Sequence, residues 1–285
     1  MRRTALITGA SKGIGRELAI IFARQGYDLV LVARSKALLE ELGKRLSKKY
    51  KIEVTTIEKD LTCKEAPEEI FQELEGRRID ILVNNAGFGD YKEFAHSEWE
   101  KQYLMIQLNI TALMHMTKLF LPNMIKQGYG KVLNLASTAA FLPGPNMSVY
   151  YASKAAVLSF SQAISKELKG CNVTVTALCP GPTSTNFERT AGLINSKLLH
   201  SLKVTDAKKV ALYGYKALMK GKPVAVEGLF NKMLIISTKL APRGVVLAMI
   251  DQIQSKLREG QPADEQLADR QPTDGQPTDG QPAKE

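Results

Sequence analysis

The sequence predicts an α/β fold: a single doubly wound parallel sheet with helices on both faces and an apolar C-terminal extension. Three observations predict it. Over the first 180 residues, short apolar β-rich runs alternate with longer stretches whose apolar residues recur at helical spacing. Such alternation implies parallel strands joined by right-handed crossovers. Hydrophobic residues make up 44% of the 285, enough to cover both faces of a sheet.

The elements follow in order. "TALITG" reads as a buried strand, and "IGRELAIIFARQG" as a helix stopped at Gly26. "DLVLVAR" is a strand and "SKALLEELGKRLSKKY" an amphipathic helix. "IEVTTIEKD" and "APEEIFQELEG" repeat the pair, and "IDILVNNAG" is a strand running into a glycine. A long helical stretch runs from about Ser97 to Pro122. "GKVLNLAS" is a strand, "VYYASKAAVLSFSQAISKELKG" a helix, and "NVTVTALCPGP" a strand ending at prolines. Beyond Pro182 the pattern loosens. "TSTNFERTAGLINSKLLHSL" reads as a cleft cover and "TDAKKVALYGYKALMKGK" as a capped helix. The domain is expected over residues 1–255, with a substrate-covering segment at about 183–250. Residues 260–285 carry a Q-P-T-D repeat with almost nothing to bury and are expected to be disordered.

Composition narrows the function. Cys63, Cys171 and Cys179 have no C-x-x-C spacing and are odd in number, so free thiols and a reducing, cytoplasmic compartment are expected. His96, His115 and His200 lie far apart, and no metal site is expected. The opening residues do not read as a secretory signal, and no run of about 20 apolar residues appears. The net charge is +10; residues 1–259 hold 37 bases and 23 acids. The bases are scattered over helix faces without aromatic interleaving, so nucleic acid is not expected as a partner.

The chemistry sits at strand ends, where ligands bind in such sheets. "TGASKGIG" links the first strand to the first helix, with glycines at 9, 13 and 15. Amides at a helix N-terminus face an anion, and glycines allow close approach. "NNAG" (Asn84, Asn85, Ala86, Gly87) ends the fourth strand, and Asn109 lies in the helix that follows. "LNLAS" brings Ser137 to the end of the fifth strand, and Tyr150-x-x-x-Lys154 follows. "PGPT" (Pro180 to Thr183) ends the sixth strand.

Together these motifs resemble the short-chain dehydrogenase/reductase family, over about residues 3 to 190. The resemblance implies a Rossmann fold and a nicotinamide dinucleotide held by Gly9, Ser11, Lys12, Gly13, Ile14 and Gly15. It implies Asp60 and Leu61 near the adenine, and Asn84 to Gly87 at the strand end beside the cofactor. Pro180, Gly181 and Thr183 would meet the nicotinamide amide. Eighteen residues past Gly15 the chain has Ala33 and then Arg34, with no acid for a ribose 2′-hydroxyl. Lys12 and Arg34 fit a 2′-phosphate, which favours NADP(H).

Catalysis, by the same resemblance, falls to Ser137, Tyr150, Lys154 and Asn109. Tyr150 has the family's spacing to Lys154; Tyr151, about 100° around the helix, reads as a packing or cleft-wall residue. A phenol normally has a pKa of about 10, and a nearby ammonium and an oxidised nicotinamide cation both favour the phenolate. Ser137 would orient the substrate oxygen, Lys154 would also hold the ribose, and Asn109 would hold a water in the proton path. The expected substrate is a small carbonyl or alcohol, and self-association follows by analogy. The C-terminal segment resembles a bacterial subgroup of DltE type. Its apolar run at 224–250, with Lys232, Lys239 and Arg243, could line a greasy pocket, rest on a membrane, or form a buried or oligomeric contact. Two functions therefore stand: an NADPH-dependent carbonyl reductase, or an NADP(H)-binding regulatory protein without turnover.

Overall fold

The computed structural model describes residues 2–185 and 204–258. The expected disorder of residues 260–285, and most of the expected cleft cover after Pro182, lie outside the described residues. The strands are β1 (Thr4–Thr8), β2 (Asp28–Ala33), β3 (Val54–Glu58), β4 (Ile81–Asn84), β5 (Gly130–Leu135), β6 (Val173–Cys179), β7 (Thr183–Ser184), β8 (Thr205–Asp206) and β9 (Val224–Val226). Seven of them form one parallel sheet in the order β3-β2-β1-β4-β5-β6-β9, and β7 pairs with β8. The seventh strand, β9, pairs Val224–Val226 with Ala177–Cys179 and was not read from the sequence. It is only three residues long, too short for period-2 patterning to show.

The helices are α1 (Gly13–Arg24), α2 (Lys36–Tyr50), α3 (Ala66–Glu73), α4 (Trp99–Ile106), α5 (Leu113–Lys126), α6 (Ser148–Glu167), α7 (Ala207–Met219), α8 (Leu229–Leu240) and α9 (Arg243–Arg258). Strand alternation sends side chains to two cores. On one face Leu18, Phe22, Leu39 and Val210 pack against Ile7, Leu31 and Ile81. On the other Ile70, Met116, Phe120 and Ile164 pack against Leu6, Val30 and Val132. α7 begins at Asp206, whose carboxylate accepts the Lys208 N–H at 3.0 Å, a side-chain cap.

Two features of the 99–126 run depart from expectation. Between α4 and α5 the chain widens into a π-helical turn, Gln107–Ala112, so the run is continuous but not uniform. The helix also passes through Pro122 to Lys126. Pro122 cannot donate to the carbonyl of Lys118 four residues back, and the helix continues for another turn without that bond. The whole run is long and apolar enough to cross a membrane by length and composition. In the fold, however, Met105, Asn109, Met116 and Phe120 are buried against the domain.

A polar seam crosses the second core. Asn84 of β4 and Asn134 of β5 are register partners. Asn84 Nδ2 donates to Asn134 Oδ1 (2.9 Å) and Thr117 Oγ1 (3.0 Å), and Asn134 Nδ2 donates to Ser161 Oγ (2.9 Å). Hydroxyls on α5 and α6 are thus tied to adjacent strands, which fixes how both helices sit on the sheet. Replacing Asn134 with Ala breaks the seam and leaves buried partners unpaired. Urea denaturation should show a loss of about 1–3 kcal/mol, and an unchanged midpoint would mean the seam contributes nothing.

Candidate active site

β1 lies between β2 and β4, and the chain leaves β1 and β4 toward opposite faces. A crevice therefore opens at their carboxyl ends. The glycine turn occupies it. Gly9 has φ +64°, and a Cβ there would stand 2.7 Å from Asn85 Nδ2. Asn85 ties the two strand ends together: its Nδ2 donates to the carbonyls of Thr8 (2.9 Å) and Gly9 (3.2 Å). In return, Thr8 Oγ1 accepts the backbone N–H groups of Asn85 (2.9 Å) and Ala86 (3.0 Å). Ile14 and Gly15 are buried, Ser11 and Gly13 half-buried, and Lys12 exposed. No acid stands in the first turn of α1. A cavity of about 500 Å³ opens beside Gly13, bordered by Glu17, Ser184, Thr185 and Asp206.

A nicotinamide dinucleotide fits these residues. Gly9 and Gly15 let the turn close against Asn85, and the α1 N-terminus that follows offers amides to a pyrophosphate. Arg34 follows β2 directly; its Nη1 lies 3.9 Å from Asp60 Oδ2, and both side chains are largely open to solvent. The other Asp60 oxygen accepts from Thr62 N (3.0 Å) and Thr62 Oγ1 (2.9 Å). Leu61 is buried beside them. Asn84, by contrast, turns its side chain into the polar seam rather than toward the glycine turn. Thr183 donates its hydroxyl to the Gly181 carbonyl (2.8 Å), and the Pro180 carbonyl accepts the Thr138 N–H (2.9 Å).

The four residues expected to be catalytic converge. Ser137 stands just past β5, where its Oγ accepts the Ala139 N–H (3.1 Å) and caps a short 3-10 turn, Thr138–Phe141. The Tyr150 phenol is hydrogen-bonded to the Ser137 side chain. Lys154, one turn along α6, is almost fully buried; its Nζ donates to the Leu135 carbonyl (2.9 Å) and lies 5.8 Å from the Tyr150 ring centre. Asn109, fully buried in the π turn, donates to the Phe88 carbonyl (2.9 Å) and Ser153 Oγ (3.1 Å) and accepts the Phe88 N–H (3.1 Å). A Cβ on Gly87 would meet both Asn109 Oδ1 (2.8 Å) and Lys154 Nζ (3.4 Å), so the end of "NNAG" abuts the same group. Tyr151 meets Tyr150 edge-on at 6.0 Å and packs over Gly144.

Burial dominates the electrostatics. It pushes the Tyr150 phenol up to about 12, opposed by the Ser137 hydrogen bond and reinforced by Tyr151. It pushes the Lys154 ammonium down to about 8, opposed by Cys179. Burial thus sets the direction for both groups in the protein by itself, and the phenol is raised rather than lowered. The ammonium is aimed at the Leu135 carbonyl, and desolvation is the largest cause of both shifts.

Three participants escaped the sequence reading. Thr8 joins the two strand ends, but a threonine closing an apolar strand gives no signal of that. Ser153 accepts from Asn109 and donates to the Tyr150 carbonyl (2.7 Å); a small polar residue just before Lys154 was the available hint. Cys179 is buried at the end of β6, where burial pushes its thiol up to about 12 against the neighbouring Lys154 ammonium. A neutral buried thiol of this kind is a packing group.

Known proteins are similar to this chain in sequence and fold. An uncharacterized oxidoreductase from Staphylococcus epidermidis is 32% identical over 212 residues, covering 74% of this chain and 90% of its own. A short-chain dehydrogenase from Sphingobium yanoikuyae, solved in complex with NADPH, superposes with a TM-score of 0.76 at 30% identity, over 97% of this chain and 99% of its own. The bulky-bulky ketone specific alcohol dehydrogenase from Comamonas testosteroni has a TM-score of 0.72 at 32% identity, over 84% of this chain and 93% of its own. The short chain dehydrogenase family matches residues 3–193, a span that holds the glycine turn, "NNAG", Ser137, Tyr150 and Lys154. With that span and that geometry, the chain belongs to the short chain dehydrogenase family of oxidoreductases.

Proposed function

We propose that this oxidoreductase is an NADPH-dependent carbonyl reductase in which Tyr150 is the general acid. The observation that carries the reading is the convergence of the Ser137 hydroxyl, the Tyr150 phenol and the Lys154 ammonium at one strand end. A protein that only sensed the dinucleotide would have no use for that grouping. NADPH, when bound, supplies the hydride for the carbonyl carbon. The Ser137 hydroxyl orients the carbonyl oxygen beside Tyr150, and the phenol delivers its proton to that oxygen. A phenol held near 12 is fully protonated at neutral pH, which suits reduction. The reverse, oxidative direction needs the phenolate and should gain rate as pH rises.

The other residues hold the acid in place. Lys154 would hold the nicotinamide ribose hydroxyls, and beside the oxidised nicotinamide its charge would favour the phenolate left after transfer. Asn109 has both amide hydrogens committed, to Phe88 and Ser153, so it fixes the loop after β4 against α6. Any water in the proton path would then rest on backbone atoms of the π turn rather than on the Asn109 amide. Lys12 and Arg34 would hold the 2′-phosphate, with Arg34 exchanging its long contact to Asp60 for a bidentate one. The NADPH complex of the Sphingobium dehydrogenase supports this choice of coenzyme. The ketone specificity of the Comamonas relative supports a carbonyl substrate.

Three measurements test the reading. Over a panel of ketones, Tyr150→Phe should lower NADPH consumption about 10²–10⁴-fold, whereas Tyr151→Phe should stay within a small factor of wild type. Tight NADPH binding by wild type without turnover of any carbonyl would leave the regulatory reading instead. Arg34→Ala should weaken NADPH binding about 10–100-fold with little effect on NADH, and equal affinity for both coenzymes in wild type would remove the 2′-phosphate assignment.

Lys154→Met gives a stability test with a worked sign. The folded-state pKa of Lys154, about 8, lies below its ordinary value of 10.5. Below pH 8 the buried ammonium therefore opposes folding in full. The opposition fades as pH rises toward 10.5, where lysine is neutral in both states. Lys154→Met should therefore melt higher than wild type at pH 7 while losing turnover. The advantage should vanish by about pH 10.5 in calorimetry.

A further inference from the structure

α8 is apolar on both of its sides. Ile235 is buried and Leu234 half-buried against the domain. Opposite them, Leu229 (74% exposed), Phe230 (75%), Met233 (62%) and Ile236 (59%) stand in solvent. Residues 229, 233 and 236 follow i, i+4, i+7 spacing and form one stripe, which Phe230 widens. α9 continues the pattern with Val245 and Met249, four residues apart and both exposed. A helix that is apolar all round is ordinarily buried, and exposed apolar patches of this kind mark interaction sites.

The surroundings are strongly basic. Residues 207–250 contain eight lysines or arginines and a single acid, Glu227. That acid is half-buried, and its carboxylate lies 3.5 Å from the Thr205 hydroxyl. Lys232, exposed within the α8 stripe's edge, has its Nζ 6.0 Å from the Tyr213 ring on α7. Lys209 and Lys216, also exposed, stand four residues before and three after Tyr213, on the same side of α7. An apolar stripe thus borders a row of lysines.

We propose that this face docks on an anionic lipid bilayer, with α8 lying along the interface and Lys209, Lys216 and Lys232 at the lipid phosphates. α8 has 12 residues, about 18 Å of helix, too short to span a hydrocarbon core of about 30 Å. A second copy of the chain is a poorer occupant: pairing two such faces brings lysine rows together with almost no acid to meet them. The face is also joined to the candidate active site. α8 packs on the Thr138–Phe141 turn after Ser137, and Asn231 stands against Gly181. Docking on a bilayer needs no turnover and is independent of the reductase reading.

Sedimentation of the full chain with vesicles tests it. The chain should co-sediment with phosphatidylcholine vesicles containing phosphatidylglycerol but not with phosphatidylcholine alone, and binding should fall steeply with added salt. The pair Phe230→Asp and Met233→Asp should abolish co-sedimentation, and Lys209→Ala, Lys216→Ala and Lys232→Ala should each weaken it about fivefold. Thermal midpoints of these variants should match wild type, since all five positions are exposed. Absence of vesicle binding overturns the proposal, as does equal, salt-independent binding to both vesicle types. A vesicle-free dimer that the Phe230/Met233 pair splits, without vesicle binding, would assign the face to a second copy.

Discussion

The site depends on one topological constraint: β1 has neighbours on both sides whose following chains depart to opposite faces of the sheet. No helix can then cover the ends of β1 and β4, and a crevice must remain there. The Thr8 and Asn85 hydrogen bonds hold that crevice to a fixed width. Because the glycine turn hangs from β1 and "NNAG" from β4, the same bonds set the distance between the glycine turn and the Asn109–Lys154 group that Gly87 abuts. A side chain at Gly9 would collide with the Asn85 amide that closes the arrangement.

A second theme is the interior placement of polar groups. The Asn84–Asn134 seam holds α5 and α6 to the sheet from within, and α6 carries Tyr150 and Lys154. The π turn presents Asn109 inward, where it joins the loop at Phe88 to Ser153 on α6. A π turn of this kind often marks a functional position, because its strain must be compensated locally. Apart from the buried Asn84 Oδ1, these side-chain amides and hydroxyls have hydrogen-bond partners, so the interior is pinned around a lysine whose charge it disfavours. That disfavoured charge is the usual trade between stability and function.

The C-terminal part follows a different logic. β9 completes the sheet beside β6, and α7 covers the first core, but α8 and α9 leave apolar side chains in solvent. The basic excess of the chain is not evenly spread: it gathers in this same stretch, where residues 207–250 have almost no acids. Electrostatics and apolar exposure thus coincide on one side of the molecule, next to the Ser137 turn.

Much of this was legible in the sequence, because the sheet's order is written locally. Apolar runs set the strands of the first 180 residues, glycines and prolines set their ends, and "TGASKGIG", "NNAG" and Tyr150-x-x-x-Lys154 fall where strands stop. Other features depend on contacts between distant segments and have no local signature. Pairing with β6 made Val224–Val226 a strand, and α5 continues through Pro122. Packing turned Asn84 toward Asn134, and Thr8 and Ser153 were recruited by neighbours far along the chain. The sequence could name Tyr150 and Lys154 from their spacing, but not the direction in which their pKa values move. That direction is set by how much water the fold removes from each group, and only the assembled tertiary structure decides it.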